Sequence, residues 1–160
     1  MEPSLLIAWH SRTGTARALA QAAAAGAGER ARLMAARDVE PEDLMAARAY
    51  IFAAPENLAG LSGEMKELFD RCYYPLLGRI EGRAYASIIA AGSDGEGAQR
   101  QLDRICTGWR LRRVADPVIW RTGAQSPEAI MAPKQVPASA LAAARDLGAA
   151  CAEGLDLGIY

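Results

Sequence analysis

Leu5-Leu-Ile-Ala-Trp-His-Ser-Arg-Thr-Gly-Thr-Ala-Arg17 is a short apolar run that breaks into a turn of hydroxyls and glycine and then enters a helix. That order suits the holding of a phosphate. A strand delivers the turn to the end of a parallel sheet, Gly14 lets the backbone approach the anion, and hydroxyls and orphan N–H groups at the helix start donate to it. Ser11, Thr13 and Thr15 place three hydroxyls within five residues, with Arg12 and Arg17 beside them. The absence of a Gly-Lys-Ser/Thr run excludes a triphosphate loop, and the absence of G-x-G-x-x-G argues against a dinucleotide cradle. One phosphate monoester fits best.

Working outward, changes of hydrophobic period and Gly/Pro punctuation mark the remaining elements. An alanine-rich helix over 15–25 stops at Gly26 and Gly28, 31–35 reads as a second strand, and Pro41 with its acidic neighbours suits a helix start. Ala49 to Ala54 is a continuous apolar run, as for a central strand covered on both faces, which Pro55 is expected to end. A loop over 56–62 follows. From Gly63, the residues Met65, Leu68, Phe69 and Cys72 fall on one helical face, expected to stop at Pro75. Ala84 to Ala91 is the next strand and feeds Gly92-Ser-Asp-Gly-Glu-Gly97, then a helix over 98–107. A fifth strand is placed at 118–121 and a last helix at 138–155. Between them Thr122 to Pro137 is long for a connection, and such segments are usually functional or mobile.

Five strands alternating with helices imply an α/β domain over 1–160, a parallel sheet wound on both faces. Ligands of such sheets bind beyond the carboxyl ends of the strands, where the winding reverses. Three loops qualify: His10 to Thr15, Pro55 to Ser62, and Ala91 to Gly97.

Composition removes several classes of function. A formal charge of -1, from 18 basic and 19 acidic residues, gives no reason to expect nucleic acid or an anionic membrane as partner. Cys72, Cys106 and Cys151 are odd in number and lack metal-ligand spacing, so free buried thiols are expected rather than a disulfide framework or a metal site. No run approaches the ~20 apolar residues of a membrane span, and the opening Met-Glu-Pro-Ser has no basic segment of a secretory signal, so a cytoplasmic location is expected.

Ser11-Arg-Thr-Gly-Thr15, Pro55-Glu-Asn-Leu58 followed by Ser62-Gly-Glu-Met-Lys-Glu-Leu-Phe-Asp-Arg71, and Gly92-Ser-Asp-Gly95 together resemble the flavodoxin-like family, in particular its small NAD(P)H-dependent FMN oxidoreductases. The resemblance spans Leu5 to about Gly123. It implies a three-layer α/β/α fold with strand order 2-1-3-4-5 and an FMN phosphate on Ser11, Thr13, Gly14 and Thr15. The loops from Pro55 and from Gly92 would flank the isoalloxazine ring. The N–H groups of Glu56, Asn57 and Leu58, and of Ser93, Asp94 and Gly95, would donate to its polar edge. The departure is Ala16, where many members carry a further hydroxyl, a donor whose loss costs on the order of 1 kcal/mol if replaced. Arg17 or His10 would compensate.

Flavodoxin shuttles stack aromatic rings on the flavin from the second and third loops, and this chain has none in 55–62 or 92–98. An open flavin face suits hydride delivery from NADH or NADPH, and then transfer to a small acceptor such as a quinone. The flavin carries the chemistry, so no catalytic side chain, nucleophilic cysteine or Ser-His-Asp arrangement is expected. An electron carrier for a redox partner protein and a flavin-free module of the same fold are the alternatives, and the resemblance implies a homodimer or homotetramer.

Other residues carry two readings. His10 either closes the turn or touches the ligand, and Asp94 either faces the flavin or accepts from its own backbone. Glu64, Lys66 and Glu67 read as a solvated face, and Met65 and Phe69 as core. Tyr73 and Tyr74 read as packed under the sheet before a flavin or dimer contact. Arg110, Arg112 and Arg113 read as solvated before an NADPH phosphate contact.

Overall fold

In the computed structural model, which describes residues 2–160, β1 (Leu5–Trp9) lies between β2 (Ala31–Ala35) and β3 (Ala49–Asn57), all parallel. β5 (Ala84–Ala91) extends the sheet beyond β3, and two short segments, β6 (Arg112–Arg113) and β7 (Val118–Arg121), run along its outer side. The order β2-β1-β3-β5, with β6 and β7 sharing the fifth place, is the expected 2-1-3-4-5 arrangement once the two-residue β4 (Gly60–Leu61) is set aside. The winding reverses between β1 and β3, and their carboxyl ends open a crevice there.

Period-two alternation sorts the strand side chains into two cores. Leu5 and Ile7 of β1, with Ala49, Ile51 and Ala53 of β3, face α1 (Thr15–Ala27) and α6 (Ala138–Asp156). That core is built largely from alanine, which lets the two helices approach closely. Leu6, Ala8, Tyr50 and Phe52 face the other way, toward α2 (Pro41–Ala46), α3 (Gly63–Leu76) and α4 (Glu96–Gly108). Large rings fill this second core: Phe52 packs on Phe69 at 4.9 Å between centroids, and Phe69 on Trp109 at 5.0 Å. The three cysteines are free and buried as expected, and burial pushes the thiols of Cys72 and Cys151 up to about 11.

Three expectations are corrected. β3 does not end at Pro55 but continues to Asn57. Its neighbour β1 stops opposite Ala53, so beyond that point proline sits where one side of the strand is free of a parallel partner. The segment 56–62 is not an open loop: Glu56 and Asn57 pair antiparallel with Leu61 and Gly60, closing a hairpin over Leu58 and Ala59 at φ 53° and 69°. Two non-glycine residues in the left-handed region make a turn of the type that matches hairpin twist. Tyr73 and Tyr74 are not under the sheet; they stack on each other in solvent near the end of α3 remote from the crevice. Smaller differences concern α3, which ends one residue beyond Pro75, and 122–137, which contains a short helix α5 (Pro127–Met131).

Candidate functional site

The turn after β1 is shaped by Gly14, whose φ of 101° caps α1 in a conformation that side chains disfavour. Ser11 Oγ accepts the Gly14 N–H at 3.1 Å, which fixes the hydroxyl in the loop and leaves its O–H free to donate. Thr15, the first residue of α1, is only 3% exposed, and its Oγ1 is buried without a hydrogen-bond partner. A buried hydroxyl left unpaired costs on the order of 1–3 kcal/mol, a cost that an anion at the helix start would remove. Arg17 does not turn to the loop; its guanidinium lies 5.3 Å over the Trp9 ring.

His10 turns inward. Its Nδ1 lies 2.7 Å from Ser62 Oγ and its Nε2 3.2 Å from Glu64, so the first turn is fastened to the start of α3. The two partners assign the tautomer: Nε2–H donates to the carboxylate and Nδ1 accepts from the serine hydroxyl. Glu64 makes this contact while remaining exposed, on the solvated face where Lys66 pairs with Asp70 and Glu67 with Arg71. Burial holds the imidazole below its ordinary value of about 6.5, reinforced by Arg12 and opposed by Glu64. A lowered folded-state pKa gives stability that is present above that ordinary value and lost as pH falls through the folded value. The melting temperature of the wild type should thus fall more steeply below about pH 6.5 than that of His10→Asn; parallel profiles would mean that folding leaves the proton affinity of His10 unchanged, and a shallower fall that the native state holds it charged.

The second and third loops are clamped together by Glu56. Its Oε1 accepts the N–H of Gly95 at 2.9 Å and its Oε2 that of Ala98 at 3.0 Å, capping α4 with a carboxylate. Gln101 adds a bond from the Leu61 N–H at 2.6 Å. Asp94 accepts from the backbone of Glu96 at 3.3 Å, the local turn role.

These loops border a cleft of about 300 Å³ at the switch point. Of the expected residues, Ser11, Arg12, Thr13, Thr15 and Ala16 line it from the first turn, Pro55, Glu56 and Asn57 from the hairpin, and Gly92 from the third loop. His10, Gly14, Leu58, Ser93, Asp94 and Gly95 do not. His10 is held by Ser62 and Glu64, the Gly95 N–H is held by Glu56, and Leu58 projects fully into solvent from the hairpin tip. Arg110, Arg112 and Arg113 sit toward the opposite end of the strands, where Arg112 pairs with Ala84 at the start of β5.

Ala91, from the third expected loop, also lines the cleft, and Ala90, Thr122, Ala124, Ile130, Met131 and Lys134, none of them expected individually as ligand contacts, complete the lining. Thr122 follows β7 as the other loops follow their strands, so the strand-end rule applied once more would have found it. Ile130, Met131 and Lys134 arrive with α5, and the Lys134 N–H donates to Thr13 O at 2.9 Å, fastening the 122–137 segment to the first turn. No aromatic side chain lines the cleft among the described residues.

The family model described as NADPH-dependent FMN reductase matches residues 35–125, more than half of the chain. A search of curated proteins finds no significant match. Among solved structures the chain is similar to a flavodoxin from the domain Archaea, with a TM-score of 0.76 and 15% identity over 95% of this chain and 98% of that one. It is also similar to a flavodoxin, WrbA-like protein from Agrobacterium tumefaciens, at 0.75 and 21% over 93% and 94%. The two-electron reduced flavodoxin of Megasphaera elsdenii follows at 0.68 and 15% over 93% and 98%. At such identities the likeness is one of fold, and the fold is flavodoxin-like.

Proposed function

The chain belongs to the NADPH-dependent FMN reductase family, and on that premise we propose that it binds FMN in the switch-point cleft and passes reducing equivalents from NADH or NADPH to a small acceptor such as a quinone. The observation that carries this reading is the Thr15 hydroxyl, buried without a partner beside the glycine turn that opens α1. The donor set fits a phosphate monoester: hydroxyls of Ser11, Thr13 and Thr15, the first turn of α1, and the Arg12 guanidinium.

Bound FMN would supply two-electron redox chemistry that no side chain here provides. The protein's part is to bind, orient and shield. Thr13 and Thr15 hold the phosphate end, and Pro55 to Asn57 with Ala90 to Gly92 form the walls for the ring. Leu58 and Ser93 to Gly95, which do not line the cleft, would be met only by a part of the ligand that extends past it. Glu56 keeps the two ring loops at fixed separation through its bonds to Gly95 and Ala98. Ile130 and Met131 present aliphatic surface in place of the stacked aromatics of a shuttle, which favours an enzyme over a carrier.

The test is a titration of the purified protein with FMN, followed by the oxidation of NADH and NADPH with and without a quinone. Binding tighter than micromolar together with turnover of a nicotinamide is the expected result. Tight binding with negligible nicotinamide oxidation would make the protein a carrier, and an unchanged melting temperature in saturating FMN would make it a flavin-free module.

A further inference from the structure

We propose that Lys134 is a ligand-binding residue that selects the phosphorylated form of the flavin, an inference that rests on the FMN reading above. The residue reaches the cleft from the far end of the chain. Its backbone N–H is bonded to Thr13 O at 2.9 Å, which places the residue against the phosphate turn itself, and it lines the same cleft as Thr13 and Thr15.

The side chain is held in place with a donor to spare. Lys134 Nζ donates to Ile130 O at 2.8 Å and to Ala132 O at 2.6 Å, the carbonyls exposed at the end of α5. An ammonium group has three N–H bonds, and two are used. Holding the stem against these carbonyls removes much of the rotamer freedom that a lysine otherwise loses on binding.

Charge points the same way. Among the described residues, Arg12 and Lys134 are the cations lining the cleft, and a phosphate monoester carries a charge approaching -2 near neutral pH. Glu56, the one carboxylate in the lining, is spent on the N–H groups of Gly95 and Ala98 at the ring end. The two side chains nominated from sequence to offset the missing hydroxyl at Ala16 are committed elsewhere, Arg17 on Trp9 and His10 on Ser62 and Glu64. Lys134 is the group free to make up that lost donor, and it brings a full charge with it.

Lys134→Met keeps the aliphatic stem and the backbone N–H while removing the ammonium. The dissociation constants of FMN and of riboflavin, which lacks the phosphate, are measured by flavin fluorescence for the wild type, Lys134→Met and Lys134→Arg. The expected result is FMN binding weakened about tenfold in Lys134→Met with riboflavin unchanged, and discrimination largely restored in Lys134→Arg. The salt dependence of FMN binding should also become shallower. Equal weakening of both flavins would overturn the proposal by assigning Lys134 to the segment's conformation alone, as would unchanged FMN affinity. A wild type that binds riboflavin and FMN equally would overturn the phosphate role while leaving a flavin site in place; one that binds neither would overturn both readings.

Discussion

Gly148→Ala is expected to lower stability by about 3 kcal/mol, a fall of about 10 °C in melting temperature for a chain of this size. A methyl group at Gly148 would overlap the carbonyl of Ala23, and one at Gly26 the carbonyl of Arg145. Each helix thus offers a glycine to the other's backbone. Because the neighbours are main-chain atoms, no side chain can swing aside, and α6 must withdraw from α1. Withdrawal opens the alanine core along its length, since Leu19, Ala20 and Ala23 meet Ala144, Leu147 and Cys151 there, and small residues cannot stretch to refill the gap. Urea unfolding of both proteins measures the difference; a loss below 1 kcal/mol would show that the helices yield easily.

This contact also shows what a sequence conveys and what it withholds. The β1 turn was legible because its message is local: an apolar run, a glycine and hydroxyls within a few residues. Alternation and handed crossovers give a doubly wound parallel sheet, but more than one strand order satisfies them, and the order 2-1-3-4-5 came from the family resemblance. What escaped depends on residues far apart in the chain. Nothing near Pro55 tells that β1 ends two residues earlier in register, the fact that makes a proline tolerable there. Glu56 is one acid after a strand until α4 folds against it and needs an N-terminal cap. His10 and Glu64 are fifty-odd positions apart, and their pairing exists only because α3 starts beside the first turn. Lys134 belongs to the same class: the length of its segment was visible, but the bond to Thr13 that brings it to the cleft was not.

Thr15→Val is expected to act with opposite signs on the empty protein and on its complex. Valine is nearly isosteric with threonine and shares its β-branch, so backbone and packing change little. In the empty protein the substitution removes a buried hydroxyl that has no partner, and stability should rise by about 1 kcal/mol. In the complex that hydroxyl would donate to a charged phosphate oxygen, a bond of about 1.5–3 kcal/mol, so FMN affinity should fall roughly tenfold to a hundredfold. Saturating FMN then raises the melting temperature of the wild type more than that of the variant, and the two curves cross as ligand is added. A hydroxyl that is merely misplaced predicts only the first effect, with FMN affinity unchanged. A hydroxyl serving the fold predicts the reverse of that first effect, a less stable empty protein. Only a donor kept dry and unpaired for an incoming anion stabilises when removed and weakens binding in the same substitution, so one pair of melting curves with and without FMN separates the three.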